Sequence, residues 1–416
     1  MRITAIGIGL VVALVCAPVY AQTQPGDNGK TQVTDLPEPP KIPTKEEVYK
    51  EQEEEIPAYI PLSMNFRIGL IGDHEVQIDT TVGPQKQIKT PLILVNPATG
   101  LPNVYAKNFP ARIVAVSPNG SWMIGIVPSA SVEHSSGSSN KECAVSLNLV
   151  RDEIKMIVEF PVHSNFQALF PPDGNDKIYY CVNEPGAVNA IFSYNLADGK
   201  STVLPADGNR FYLYGIRTLQ PRGLWVQDPL TLGDSLSLAL LGLDKGEVIT
   251  TAEFPGVRDV YAQPGGENLL ASVLSGAEAS VGYYTLADHS FHQVPQLVLT
   301  RPSFRWAHKG MAVVAKESTS TRDRFLWIDL ATGQARELFS GYFKVDFWDI
   351  SPGDEALVFI TAAKGTPVLF VVPLDPTINV VNRIRLTDVS NISWLGCMNP
   401  PPSGSRGSWL ERLLPF

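Results

Sequence analysis

The sequence predicts an all-β fold: seven four-stranded antiparallel units closed into a ring, with the C-terminal strand completing the first unit. Three observations predict it. One kind of turn recurs six times, a second turn marked by leucine recurs seven times at a similar step, and one strand-like segment near the C-terminus has no partners beside it in sequence.

The first turn is carried by "SPNG" (117–120), "PPDG" (171–174), "QPRG" (220–223), "QPGG" (263–266), "AHKG" (307–310) and "SPGD" (351–354), whose starts lie 54, 49, 43, 44 and 44 residues apart. Proline at the second position pre-sets φ, and glycine at the fourth suits the close of a type I turn. An apolar run follows each one, such as "SWMIGIV" or "ALVFIT". The second turn ends strands such as "AIFSYNLADGK" and "RFLWIDLATGQ". Aligned on Val95, Leu149, Leu196, Leu243, Leu286, Leu330 and Leu374, its steps are 54, 47, 47, 43, 44 and 44 residues. Two independent signals with one period of 40–50 residues and several strands per unit are the signature of propeller blades.

Closure follows from burial. A lone blade leaves both apolar faces wet, whereas a ring covers every face with the next blade. Within a unit the order is strand A, the Pro-Gly turn, strands B and C, the leucine turn, and strand D. The first unit starts at "NFRIGLIG" with no A strand before it, and "VSNISWLG" (389–396) is an A-type strand with nothing after it. The C-terminal strand therefore completes blade 1, giving a seven-bladed β-propeller of four-stranded antiparallel blades over residues 63–397.

The bulk numbers agree. The chain has 416 residues, too long for one ordinary core. Charged residues make up only 18 %, which suits strands buried on both faces. A net charge of −9 with no basic stripe argues against nucleic acid as a partner.

Residues 1–21 read as an export signal. Arg2 supplies the positive start, Ala5 to Val19 the apolar centre, and Val19 and Ala21 the small residues before a cut that leaves Gln22 first. The apolar stretch is short against the ~20 residues a membrane span needs, and Val15 before Cys16 disfavours a lipoprotein cut. No later apolar run has spanning length, so an exported protein, periplasmic or extracellular, is expected. Residues 22–62 read as a disordered linker with a short acidic helix, entered at Thr44 with Glu47 in capping-box spacing and ended by Pro57. Residues 398–416 form a tail in which "WLERLLPF" has one apolar helical face, suited either to folding back or to docking.

Chemistry is sparse. Cys143, Cys181 and Cys397 are odd in number and widely spaced, which is no disulfide framework and no zinc pattern. Buried thiols are the expectation, with a Cys143–Cys181 bridge as the alternative. His289 and His292 stand three apart, so on a strand they point to opposite faces and share no metal. The loop carboxylates Asp73, Asp79, Glu133, Glu184, Asp228, Asp234, Glu278, Glu317 and Asp323 are expected to form a solvated rim. No catalytic, cofactor-binding or metal-binding residue is assigned, and no cofactor is implied. "SPNGSW" (117–122) resembles the aspartate-box turn of sialidases, but Asn119 stands where that motif has aspartate, so it is read as turn chemistry.

The B–C and D–A connections must emerge on one face of the disk. They include the serine-rich 127–141, "NEPGAVN" (183–189), "DPLTLGD" (228–234), "STSTRDR" (318–324) and "AAKGTP" (362–367). Loops on a rigid scaffold are where binding concentrates.

The "SPNG", "PPDG" and "SPGD" turns, each followed by an apolar strand and then by "NLADGK" or "DLATGQ", resemble the repeats of TolB-type, WD-repeat-like bacterial propellers over about residues 65–396. The resemblance implies a periplasmic or secreted propeller that presents one face to a protein or peptide partner, and it carries over no functional residue. Some members of that family add a serine-peptidase domain; with 20 residues after Gly396, no such domain is expected here. Two functions are therefore expected to compete: a binding scaffold, and a propeller enzyme acting on an envelope or extracellular polysaccharide. The second requires two carboxylates converging at the central mouth.

Overall fold

The computed structural model describes residues 58–400 except 81–82, 105–111, 134, 152, 172–173, 175, 185–189, 205–215, 228–234, 256, 276–277, 364–365 and 388. The signal segment, the acidic helix and "WLERLLPF" lie outside the described residues, as do most of the 183–189, 205–215 and 228–234 connections. All described residues belong to one compact unit, Glu46–Phe416.

The turns explain the period. In the leucine turn, a side chain at its first position accepts from the backbone two and three residues on: Asn195 Oδ1 accepts from the N–H groups of Ala197 and Asp198, and Asp329 Oδ1 from those of Ala331 and Thr332. The fifth residue then closes the turn in the left-handed region, as at Gly100, Gly199, Gly246 and Gly333. In blade 5 the position is His289, with φ of 54°. The leucine itself turns inward, and its N–H donates to the residue that opens strand B: Leu149 to Ser121, Leu196 to Asp176, Leu330 to Met311 and Leu374 to Glu355, at 2.8–3.0 Å. The two sequence markers share one step because they are hydrogen-bonded to each other.

Seven antiparallel sheets result. Blade 5 is typical, with strands Val257–Ala262, Asn268–Ser275, Glu278–Thr285 and Ser290–Thr300 in spatial order. The first strands of the blades, including Arg112–Val116, Asn165–Leu169, Ile216–Gln220 and Phe347–Ile350, approach one another at the centre. Blade 1 is built as expected: the C-terminal strand Val389–Met398 pairs antiparallel with Arg67–Thr80, Met398 opposite Arg67 and Trp394 opposite Ile71. Leu92–Asn96 and Leu101–Val104 follow as its C and D strands.

Seven buried apolar clusters fill the seams, one between each pair of neighbouring blades. The seam between blades 7 and 1 joins Ala356, Val358, Leu369 and Val371 to Phe66, Ile68, Leu70 and Val95. Each fully buried Leu, Ile, Val or Phe contributes about 1.5–3 kcal/mol. Opening this seam would therefore cost far more than a single core substitution.

Polar staples cross the seams on both faces. On the face of the A–B and C–D turns, Gln220 Nε2 donates to Asn268 O, Gln263 Nε2 to Gly310 O, and Asn399 Nδ2 to Pro118 O. Asp354 accepts from the backbone N–H groups of His308 and Lys309, both at 2.8 Å. This explains why "SPGD" has its glycine early: Asp354 takes the left-handed φ of 56° that glycine holds elsewhere, because its carboxylate is needed across the seam. At the centre, Asp349 joins three blades, pairing with Arg305 of blade 6 and accepting from the Cys397 N–H of blade 1.

The described cysteines are free thiols, Cys143 and Cys181 buried and Cys397 half-buried. Cys143 packs in the seam of blades 1 and 2, and Cys181 in the seam of blades 3 and 4. The whole blade 2–3 seam separates them.

Candidate binding face

Alternating strand direction puts the B–C and D–A connections on one face, and blade 1 departs there from its sequence reading. Its B–C connection is a ribbon rather than a loop. Arg67–Thr80 continues beyond the sheet and pairs with Gly83–Lys89 from His74↔Lys89 to Thr80↔Gly83. The C-terminal strand reaches only His74, so among the described residues the far half of the ribbon has two strands and no third.

The serine-rich connection 127–141 is pinned, not loose. Ser129 Oγ donates to Glu159 Oε1 at 2.6 Å, the Ser136 N–H donates to the same oxygen at 2.9 Å, and Lys141 Nζ meets Oε2 at 3.1 Å. The hydrogen bonds from Ser129 and Ser136 hold the Glu159 carboxyl at about 2 against an ordinary 4.5. Ser135 Oγ donates in turn to the carbonyl of Val132 at 2.8 Å.

Glu317 and Asp323 correct the expectation of a solvated rim: they are 6 % and 1 % exposed. Glu317 pairs with Arg324 and accepts from the Thr300 N–H at 2.7 Å, tying blade 6 to the end of blade 5. Asp323 accepts from the Val345 N–H at 2.7 Å and pairs with Lys344 at 3.1 Å, tying blade 6 to the entry of blade 7. Lys316 donates to Val345 O at 2.6 Å, and its burial lowers its pKa, against the pull of Asp323. Behind them Phe325, Phe339, Phe343, Phe359 and Phe370 stack, the last two with centroids 4.7 Å apart. A buried charge needs a partner, and here each one is a cross-seam staple.

The other predicted loop carboxylates do not converge with these. Asp73 accepts from Asn391 Nδ2 at 2.9 Å, while Glu133, Glu184 and Glu278 are exposed. The side chains of Asp79, Asp228 and Asp234 lie outside the described residues. His289 and His292 are also apart in role: His289 meets the Tyr284 hydroxyl at 3.1 Å and His292 meets Asp288 at 3.0 Å. Among the described residues, no three His, Cys, Asp or Glu side chains are grouped to hold a metal. The "SPNG" turn is turn chemistry as read: Asn119 Oδ1 accepts from Ser117 Oγ and from the Ser121 N–H.

The staple residues were not legible in sequence, because a charge inside a strand reads as solvated until its partner on the next blade is known.

No family model matches the chain, and no curated protein matches it. Solved structures do. A 6-phosphogluconolactonase-like protein from Bacteroides fragilis is 12 % identical, with 82 % of this chain and 100 % of that one covered and a TM-score of 0.50. A protein from Lactobacillus plantarum is 13 % identical, with 81 % and 100 % covered and a TM-score of 0.50. TolB from Acinetobacter baumannii is 12 % identical, with 82 % and 68 % covered and a TM-score of 0.47. The likeness is one of fold: this chain is a β-propeller. Among the described residues no helix is long and apolar enough to cross a membrane.

Proposed function

We propose that the chain is an exported scaffold propeller of the TolB-like, WD-repeat-like kind, which engages a protein or peptide partner through the B–C/D–A face. The observation that carries this reading is the blade 1 ribbon. Its free strand edge stands on that face, and an open edge is a template for adding a strand from a partner. The stapled seams beneath it supply a rigid platform. The polysaccharide-enzyme reading draws no support from Glu317 and Asp323, whose oxygens are committed to Arg324, Lys344 and backbone donors.

Export is part of the proposal, and N-terminal sequencing of the protein from its producing cells checks it. Gln22 as first residue is expected; Met1 or an unprocessed leader would count against export. Partner binding is tested by replacing residues 75–88 with an Asn-Gly turn and comparing copurification from an envelope fraction. A protein retained by the wild type and lost from the shortened chain is expected. Identical retention by both chains would move the binding site elsewhere.

A further inference from the structure

The segment before the first strand is already seated on the ring. It lies across the seam of blades 7 and 1, on the side of the A–B and C–D turns, away from the proposed binding face. Three contacts hold it. The Tyr59 ring lies against Gly100, where a Cβ would come within 2.6 Å of it, and the Tyr59 hydroxyl donates to Pro97 O. The Asn382 side chain grips Ile60 twice: its Oδ1 accepts from the Ile60 N–H at 3.0 Å, and its Nδ2 donates to the Ile60 carbonyl at 2.7 Å. Leu62 enters the buried cluster of that seam.

The chemistry of this groove is that of a peptide reader. A carboxamide that donates to and accepts from one residue engages the backbone alone, so the side chain at that place is unconstrained, and Ile60 is 51 % exposed. Selectivity comes from the flanking positions, an aromatic ring before the gripped residue and an aliphatic side chain after it. The segment belongs to no strand ladder, so it is held by these few contacts and opens at lower cost than the sheets beneath it. When it leaves, Asn382, itself only 3 % exposed, loses both partners, and the hollow of Leu62 empties. Both losses favour refilling by a chain of the same shape.

We propose that the groove between Pro97–Gly100 and Asn382 is a binding site for extended peptides with an aromatic residue three places before a leucine, occupied in the resting protein by its own Tyr59–Leu62. A partner peptide of that pattern gains entry by displacing the strap.

The test uses the full chain and a fluorescent peptide of residues 56–65, followed by anisotropy. Loosening the strap with Tyr59→Ala and Leu62→Ala should raise affinity for the peptide at least ~10-fold over wild type. Adding Asn382→Ala should remove that gain, and so should a peptide in which the tyrosine and leucine are alanine. Equal binding by wild type and strap variant, or indifference to Asn382→Ala, would overturn the proposal. Hydrogen exchange on the wild type gives a reading that needs no variant. Amides of residues 59–64 should exchange at least ~100-fold faster than those of Phe66–Ile71, whereas equal protection would mean that no groove ever opens and would overturn it. A wild-type dimer lost on Asn382→Ala would assign the groove to a second copy and would also overturn it.

Discussion

Gly120 and Gly265 both have a left-handed backbone, with φ of 68° and 67°, but they face different neighbours. A Cβ at Gly265 would meet nothing within 4 Å, while one at Gly120 would come within 2.0 Å of the carbonyl oxygen of Asn399, just past the closing strand. Gly265→Ala should therefore cost only the backbone strain, about 1–2 kcal/mol. Gly120→Ala should cost clearly more, because the backbone at Asn399 must also shift. Urea unfolding of the two variants checks this, with equal losses as the result against it. Glu159 gives a pH prediction. Its folded pKa is depressed from 4.5 to about 2, so its contribution is present above the higher value and is lost as pH falls through the lower one. The stability gap between wild type and Glu159→Gln should be steady above pH of about 5 and should close toward pH of about 2; a gap independent of pH would refute the role of the Ser129 and Ser136 hydrogen bonds. Residue-level reading from sequence succeeded where the rule was local, as at Asn119, and failed where a partner came from the next blade, as at Glu317, Asp323 and Asp354.

Strands and their turns were legible because both obey short-range rules. Alternating apolar runs and an Asn or Asp followed by a left-handed glycine are visible within a dozen residues. The ribbon of blade 1 was not legible: "HEVQIDT" alternates over only two apolar residues, Val76 and Ile78, and its partner "GPQKQIK" has no apolar alternation, so the pairing shows in the backbone bonds alone. The strap at Tyr59 was missed for a related reason: it has no periodicity, and what seats it, Asn382, lies more than 300 residues away. An isolated two-stranded ribbon adds little stability of its own. Replacing residues 75–88 by Asn-Gly should therefore leave the melting midpoint within about 3 °C of wild type. A larger fall would show that the ribbon packs on the ring and is not a projecting edge.

At the scale of the molecule, the seven seams are alike in kind but one differs in how it is made. Six join blades that follow each other along the chain; the seam of blades 7 and 1 joins segments from opposite ends, Phe66–Leu70 and Ala356–Val371, with Leu395 between them. The strap of residues 59–62 and the C-terminal strand both meet there, so the two ends of the described chain hold the ring shut together. The sequence disclosed this arrangement through a deficit, a first unit lacking its A strand and a last strand lacking its unit. It could not disclose which face binds, because the connections that differ among blades follow no repeat.

Thermal melting of the chain lacking residues 389–416 tests the closed ring most directly. Loss of the closing strand removes the inner edge strand of blade 1 and uncovers part of the seam on each of its faces, so the midpoint should fall by at least about 10 °C, or cooperative melting should vanish. A truncated protein that melts at the wild-type midpoint would contradict closure by the C-terminal strand.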